Sequence, residues 1–81
     1  MLKIYGSMLC KDCVECREQL DAAGVKYTFF DFADNLVNLK EFLALREKEL
    51  FRKVREEGRI GIPCIVTENE DVYLDWDSFL Q

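Results

Sequence analysis

KIYGSMLCKDCVECR, residues 3–17, decides the reading of the whole chain. Leu2, Ile4 and Tyr5 give a short β-prone run, Gly6-Ser7 breaks it, and a helical pattern begins at Cys10. This predicts a first strand over residues 2–6. Across residues 11–23, Val14, Leu20 and Ala23 recur on one face while Glu15, Arg17, Glu18 and Asp21 lie elsewhere, and Gly24 supplies a stop. A first helix follows from that pattern. Residues 25–32, VKYTFFDF, are rich in β-branched and aromatic residues, and Phe29-Phe30 indicates burial on both faces, as in an interior strand. Strand, crossover helix and strand within about 30 residues make a βαβ unit, a parallel pair with a right-handed connection.

Beyond this unit, Asp34 or Asn35 can cap a helical stretch over residues 36–57, which Gly58 ends. Leu36, Leu39, Leu43, Leu50 and Val54 keep helical spacing, but Leu45-Arg46-Glu47-Lys48 loses the stripe, so one kinked helix and two helices both remain open. Residues 59–67, RIGIPCIVT, read as a strand with Pro63 near its start, where a missing N–H is tolerated. A polar turn and Val72-Tyr73-Leu74 complete a hairpin, and the last residues suffice for a turn or two of helix. The fold class is therefore α/β, a single domain over residues 1–81 in the order β-α-β-α-β-β, with a mixed four-stranded sheet and a truncated C-terminal helix.

Composition narrows the function. The 81 residues are 49% hydrophobic, enough for one core, and the formal charge of −5 with no separate Lys/Arg cluster argues against nucleic acid and anionic membranes as partners. No apolar run approaches the roughly 18 residues of a spanning helix, and no signal-peptide h-region precedes the first strand. A soluble, cytoplasmic monomer is expected. Of the four cysteines, Cys10, Cys13 and Cys16 fall within seven residues and Cys64 is remote. Structural disulfides close long loops; thiols this close together are more often catalytic or metal-binding.

Cys10-Lys11-Asp12-Cys13 is a C-x-x-C at a strand-to-helix junction. A thiol there meets unpaired backbone N–H groups and the positive end of the helix dipole, which favour the thiolate. Lys11 helps, whereas Asp12 and Glu15 oppose it. The spacing also ranks the disulfides. Two helical residues three apart hold their Cβ atoms about 5 to 6 Å apart, against the roughly 3.8 Å a disulfide prefers. Cys10, at the helix boundary, escapes that constraint; Cys13 and Cys16 do not. Cys10–Cys13 is thus the expected labile bond.

KIYGSMLCKDC, VKYTFFDF and IGIPCIV together resemble a glutaredoxin, within the thioredoxin-like fold, over most of the chain. The resemblance implies a disulfide oxidoreductase in which Cys10 is the nucleophile and Cys13 resolves the mixed disulfide. It also implies a cis bond at Ile62-Pro63 beside the active site, although statistics of X-Pro bonds alone favour trans. Glutaredoxins usually carry Lys three residues before the nucleophile, Pro-Tyr between the cysteines, and Gly-Gly-x-Asp after the last strand. Here those places hold Ser7, Lys11-Asp12 and Leu74-Asp75-Trp76-Asp77. By resemblance, the substrate site comprises Lys11, Asp12, Ile62, Pro63 and Asp77, with glutathione as candidate reductant and a disulfide-bearing protein or small molecule as substrate. No bound cofactor is implied. With no histidine in the chain, thiolate formation rests on the helix end and Lys11, and a weakly stabilised thiolate suits a reductant better than a strong oxidant.

Two other readings stand beside this one. Cys16 and Cys64 are either small buried apolar residues or accessory thiols, and in the latter case Cys10, Cys13, Cys16 and Cys64 are candidate ligands for zinc or an iron–sulfur cluster. Alternatively the domain binds a partner, through Trp76 and its acidic tail, and uses its cysteines only as a redox switch.

Overall fold

In the computed structural model, which describes residues 1–80, β1 (Leu2–Gly6) runs into α1 (Lys11–Ala22), followed by β2 (Tyr27–Asp31) and α2 (Leu36–Leu45). A 3₁₀ turn at Glu49–Phe51 enters α3 (Arg52–Glu56); β3 (Cys64–Val66), β4 (Val72–Tyr73) and a 3₁₀ turn at Asp77–Phe79 follow. The sheet order is β2-β1-β3-β4. β1 and β2 are parallel, with Ile4 opposite Phe29, while β3 is antiparallel to both β1 and β4. The mixed α/β architecture expected from the sequence is therefore present. No helix among the described residues is long and apolar enough to cross a membrane.

The two faces of the sheet carry separate cores. Under α1 lie Ile4, Cys16, Leu20 and Ile65, with Phe29 and Trp76 packed alongside. Under α2 and α3 lie Tyr5, Phe42, Phe51, Val54, Cys64 and Val66, joined by Phe30 and Phe32. Alternation along the strands produces this division, because neighbouring residues such as Ile4 and Tyr5 point to opposite faces. It also corrects the reading of β2, which is an edge strand and not an interior one. Phe29 and Phe30 are covered because helical layers lie on both faces of the sheet, and that does not require a strand on each side.

Local chemistry accounts for most element ends. Asn35 accepts a hydrogen bond from the Val37 N–H at 2.8 Å and so caps α2. Gly24 and Gly58, with φ of 74° and 72°, take the left-handed conformation that stops α1 and α3. The stretch over residues 36–57 divides into two helices, and the division falls at residues 46–48, where the apolar stripe lapses.

Three expectations need adjustment. The buried stripe of α1 is Cys13, Cys16 and Leu20, not one centred on Val14; Ala23 is exposed. Treating the cysteines only as reactive groups hid their service as small apolar residues. The third strand is shorter than residues 59–67, since Gly61 turns at φ 95° and the carbonyls of Arg59 and Ile60 accept from Arg46. The C-terminal helix is reduced to a single 3₁₀ turn.

Candidate active site

Ser7 and Cys10 build the turn between β1 and α1. The Cys10 N–H donates to the Ser7 carbonyl at 3.0 Å, and the Leu9 N–H donates to Ser7 Oγ at 3.1 Å. Cys10 then acts as N-cap with extended backbone, φ −91° and ψ 122°, and its carbonyl accepts the Val14 N–H at 3.1 Å. No side chain caps the helix there, so the first-turn N–H groups open beside the Cys10 thiol. Leu9 projects almost fully into solvent, at 96% exposure.

Cys10 is half-buried and lines a cleft of about 390 Å³. Asp12, Ile62, Pro63, Leu74, Trp76 and the loop at residues 58–61 form the rest of its wall. The Ile62–Pro63 bond is cis, as the resemblance implied and bond statistics did not. Trp76 is held in place by its indole N–H, which donates to Gln19 Oε1 at 2.6 Å and so ties the C-terminal segment to α1.

Cys13 sits behind Cys10, fully buried, with its thiol close enough to that of Cys10 to feel its charge. Burial above all pushes the Cys13 thiol well above its ordinary range; the Ser7 backbone hydrogen bond opposes this, and the neighbouring Cys10 and Cys16 add to it. The seat of Cys13 depends on Gly6, where an added Cβ would stand 2.6 Å from Cys13 Sγ. Gly6 reads in the sequence as a strand breaker, but its larger task is this close approach.

Cys10, Asp12, Ile62 and Pro63 are thus brought together, with Cys13 directly behind them. Lys11 and Asp77 are not: both are exposed, and neither lines the cleft. On a helix, Lys11 is turned away from its neighbour Asp12, and the single turn at residues 77–79 leaves Asp77 outside. Cys16 and Cys64 are both fully buried, in the cores on opposite faces of the sheet. Burial pushes their thiols up to about 11 and about 12 respectively. The four cysteines therefore do not converge, and no group of three or more His, Cys, Asp or Glu among the described residues is placed to hold a metal ion. The cleft residues that sequence reasoning missed are Val54, Leu74 and the loop at residues 58–61. Their nearest signal was the pair Gly58 and Gly61, which marks a turned segment just before Pro63.

No protein-family model matches the chain. No solved structure matches it either. An uncharacterized protein of Haemophilus influenzae is 36% identical to it over 73 residues, which are 89% of this chain and 85% of that protein.

Proposed function

The chain belongs to the family of this Haemophilus influenzae protein, and we propose that it is a thiol–disulfide oxidoreductase with a glutaredoxin-like form of the thioredoxin-like fold. The observation that carries this is the pairing of a half-buried Cys10, at a helix N-terminus and open to a cleft, with a buried Cys13 close behind it. Neither thiol alone would suffice. The Ile62–Pro63 segment, which lines the same cleft as Cys10, adds support.

In this mechanism the Cys10 thiolate attacks one sulfur of a substrate disulfide, forming a mixed disulfide and releasing the first substrate thiol. Cys13 loses its proton and attacks the Cys10 sulfur, releasing the second thiol and leaving Cys10–Cys13 oxidised. Two electrons pass from the protein to the substrate. A thiol donor, with glutathione as candidate, returns the pair to the reduced form by the reverse exchange. Because burial raises the Cys13 thiol, the resolving step accelerates with rising pH, as more Cys13 becomes thiolate.

Redox titration in glutathione and dithiothreitol buffers, with alkylation and mass mapping of every cysteine, tests the proposal. Cys10 and Cys13 should titrate together as one two-electron couple at about −270 to −200 mV, while Cys16 and Cys64 remain thiols that react only after unfolding. Joint protection of all four until a chelator is added would overturn the assignment.

A further inference from the structure

The wall opposite Cys10 is a loop, and its position depends on a residue that touches neither the cysteines nor the cleft. At the end of α2, the Arg46 guanidinium donates from Nε to the Ile60 carbonyl at 2.9 Å and from Nη2 to the Arg59 carbonyl at 2.7 Å. The Arg46 carbonyl in turn accepts from Arg55 Nη1 of α3 at 2.5 Å, and that nitrogen also donates to the Lys48 carbonyl at 2.9 Å. A chain of hydrogen bonds thus runs from α3 through the break between the helices to the cleft wall. We propose that Arg46 is a positioning residue that sets the cleft wall at residues 58–62 and, through it, the affinity for the disulfide substrate.

Three features give Arg46 this task. The loop carries two glycines at positive φ, Gly58 and Gly61, and both Arg59 and Ile60 are exposed, so little side-chain packing holds its outer half. Its ends are seated on the helical layer: the Arg59 N–H donates to the Val54 carbonyl of α3 at 2.9 Å, and Gly61 lies so close to Phe51, in the 3₁₀ turn before α3, that an added Cβ would stand 2.9 Å from the ring. Between these anchors the Arg46 fork holds the two carbonyls, and its planar guanidinium fixes two donors in a geometry that a flexible lysine ammonium does not reproduce. The break in the helical stripe at residues 45–48 thereby acquires a purpose, since it frees the Arg46 side chain to turn toward the loop.

The inference about affinity rests on the proposed function; the inference about the loop does not. Arg46→Met, Arg46→Lys and Gly61→Ala would be compared with the wild-type chain in two assays. Hydrogen exchange of the amides of residues 59–62 reads the loop, and reduction of a small aromatic disulfide, dithiothreitol-driven, reads KM and kcat separately. For Arg46→Met we expect exchange faster by about tenfold and KM raised by about fivefold to tenfold, with kcat within twofold and the rate of Cys10 alkylation unchanged. Arg46→Lys should fall between, and Gly61→Ala, which displaces the same loop from the Phe51 side, should raise KM as well. Unchanged loop exchange in Arg46→Met, or faster exchange with an unchanged KM, overturns the proposal while wild-type turnover keeps the oxidoreductase reading intact. A wild-type chain that reduces no disulfide overturns that reading and with it the role in affinity, whatever the exchange shows.

Discussion

The two faces of the sheet each bury cysteine completely, yet to different ends. Under α1, Cys13 lies against Gly6 and reaches Cys10 at the cleft. Across the sheet, Cys64 lies among Tyr5, Phe42 and Phe51, within an aromatic core that includes the Phe42–Phe51 edge-to-face pair at 6.0 Å. Both thiols are 0% exposed and both are pushed upward by burial. Burial and thiol acidity therefore do not separate Cys13 from Cys64. Nearness to Cys10 does, and that depends on the face of the sheet and on the turn of α1 that a residue occupies.

The largest effect should come from breaking this comparison directly. Cys13→Ser should arrest the protein at the mixed disulfide and lower dithiol turnover by about a hundredfold or more, whereas Cys64→Ala should leave turnover within twofold and lower only stability. Equal loss of turnover in the two variants, measured with the same disulfide substrate, would mean that the faces are functionally joined.

Alkaline denaturation sharpens the same contrast. Cys16 and Cys64 stay neutral in the fold, and their shifts from 9.0 to about 11 and about 12 give stability that is complete below pH 9 and lost as pH climbs through the folded values. Between pH 9 and 11 the chain should lose on the order of 1 kcal/mol per pH unit for each of these thiols. Urea titrations at stepped pH, with the single Trp76 as fluorescent probe, check this, and Cys64→Ala should show a shallower slope. An identical slope would place the titration elsewhere.

Gly6→Ala acts on the reactive face alone. The added methyl meets Cys13 Sγ at 2.6 Å, so the thiol must shift, at about 1 to 3 kcal/mol of stability and with slower resolution of the mixed disulfide. Quenched-flow detection of that intermediate measures the second effect. Asn35→Ala, which removes the cap of α2 on the other face, should cost about 1 kcal/mol and leave the exchange kinetics unaltered.

Sequence reasoning found the β1-turn-α1 unit to the residue at its start because each part has a local cause: β-prone residues, a Gly-Ser break, and a helix start at Cys10. The site was legible to the same extent. Cys10, Asp12, Ile62 and Pro63 were named and do meet, while Lys11 and Asp77 were carried over by position in a motif and lie outside the cleft. Arg46 gave no signal at all, since its two acceptors are carbonyls 13 and 14 residues away, and any residue type offers a carbonyl.

By itself the sequence determined which elements form and most of the helix ends, through caps, left-handed glycines and apolar spacing, all of which act within a few residues. Only the tertiary structure decided that β2 lies at the edge, that Cys16 and Cys64 occupy opposite faces, and that the 58–62 loop lines one cleft with Cys10. The physical reason is that strand order and hydrogen bonds between remote segments minimise the free energy of the whole fold. No short stretch of sequence carries that information.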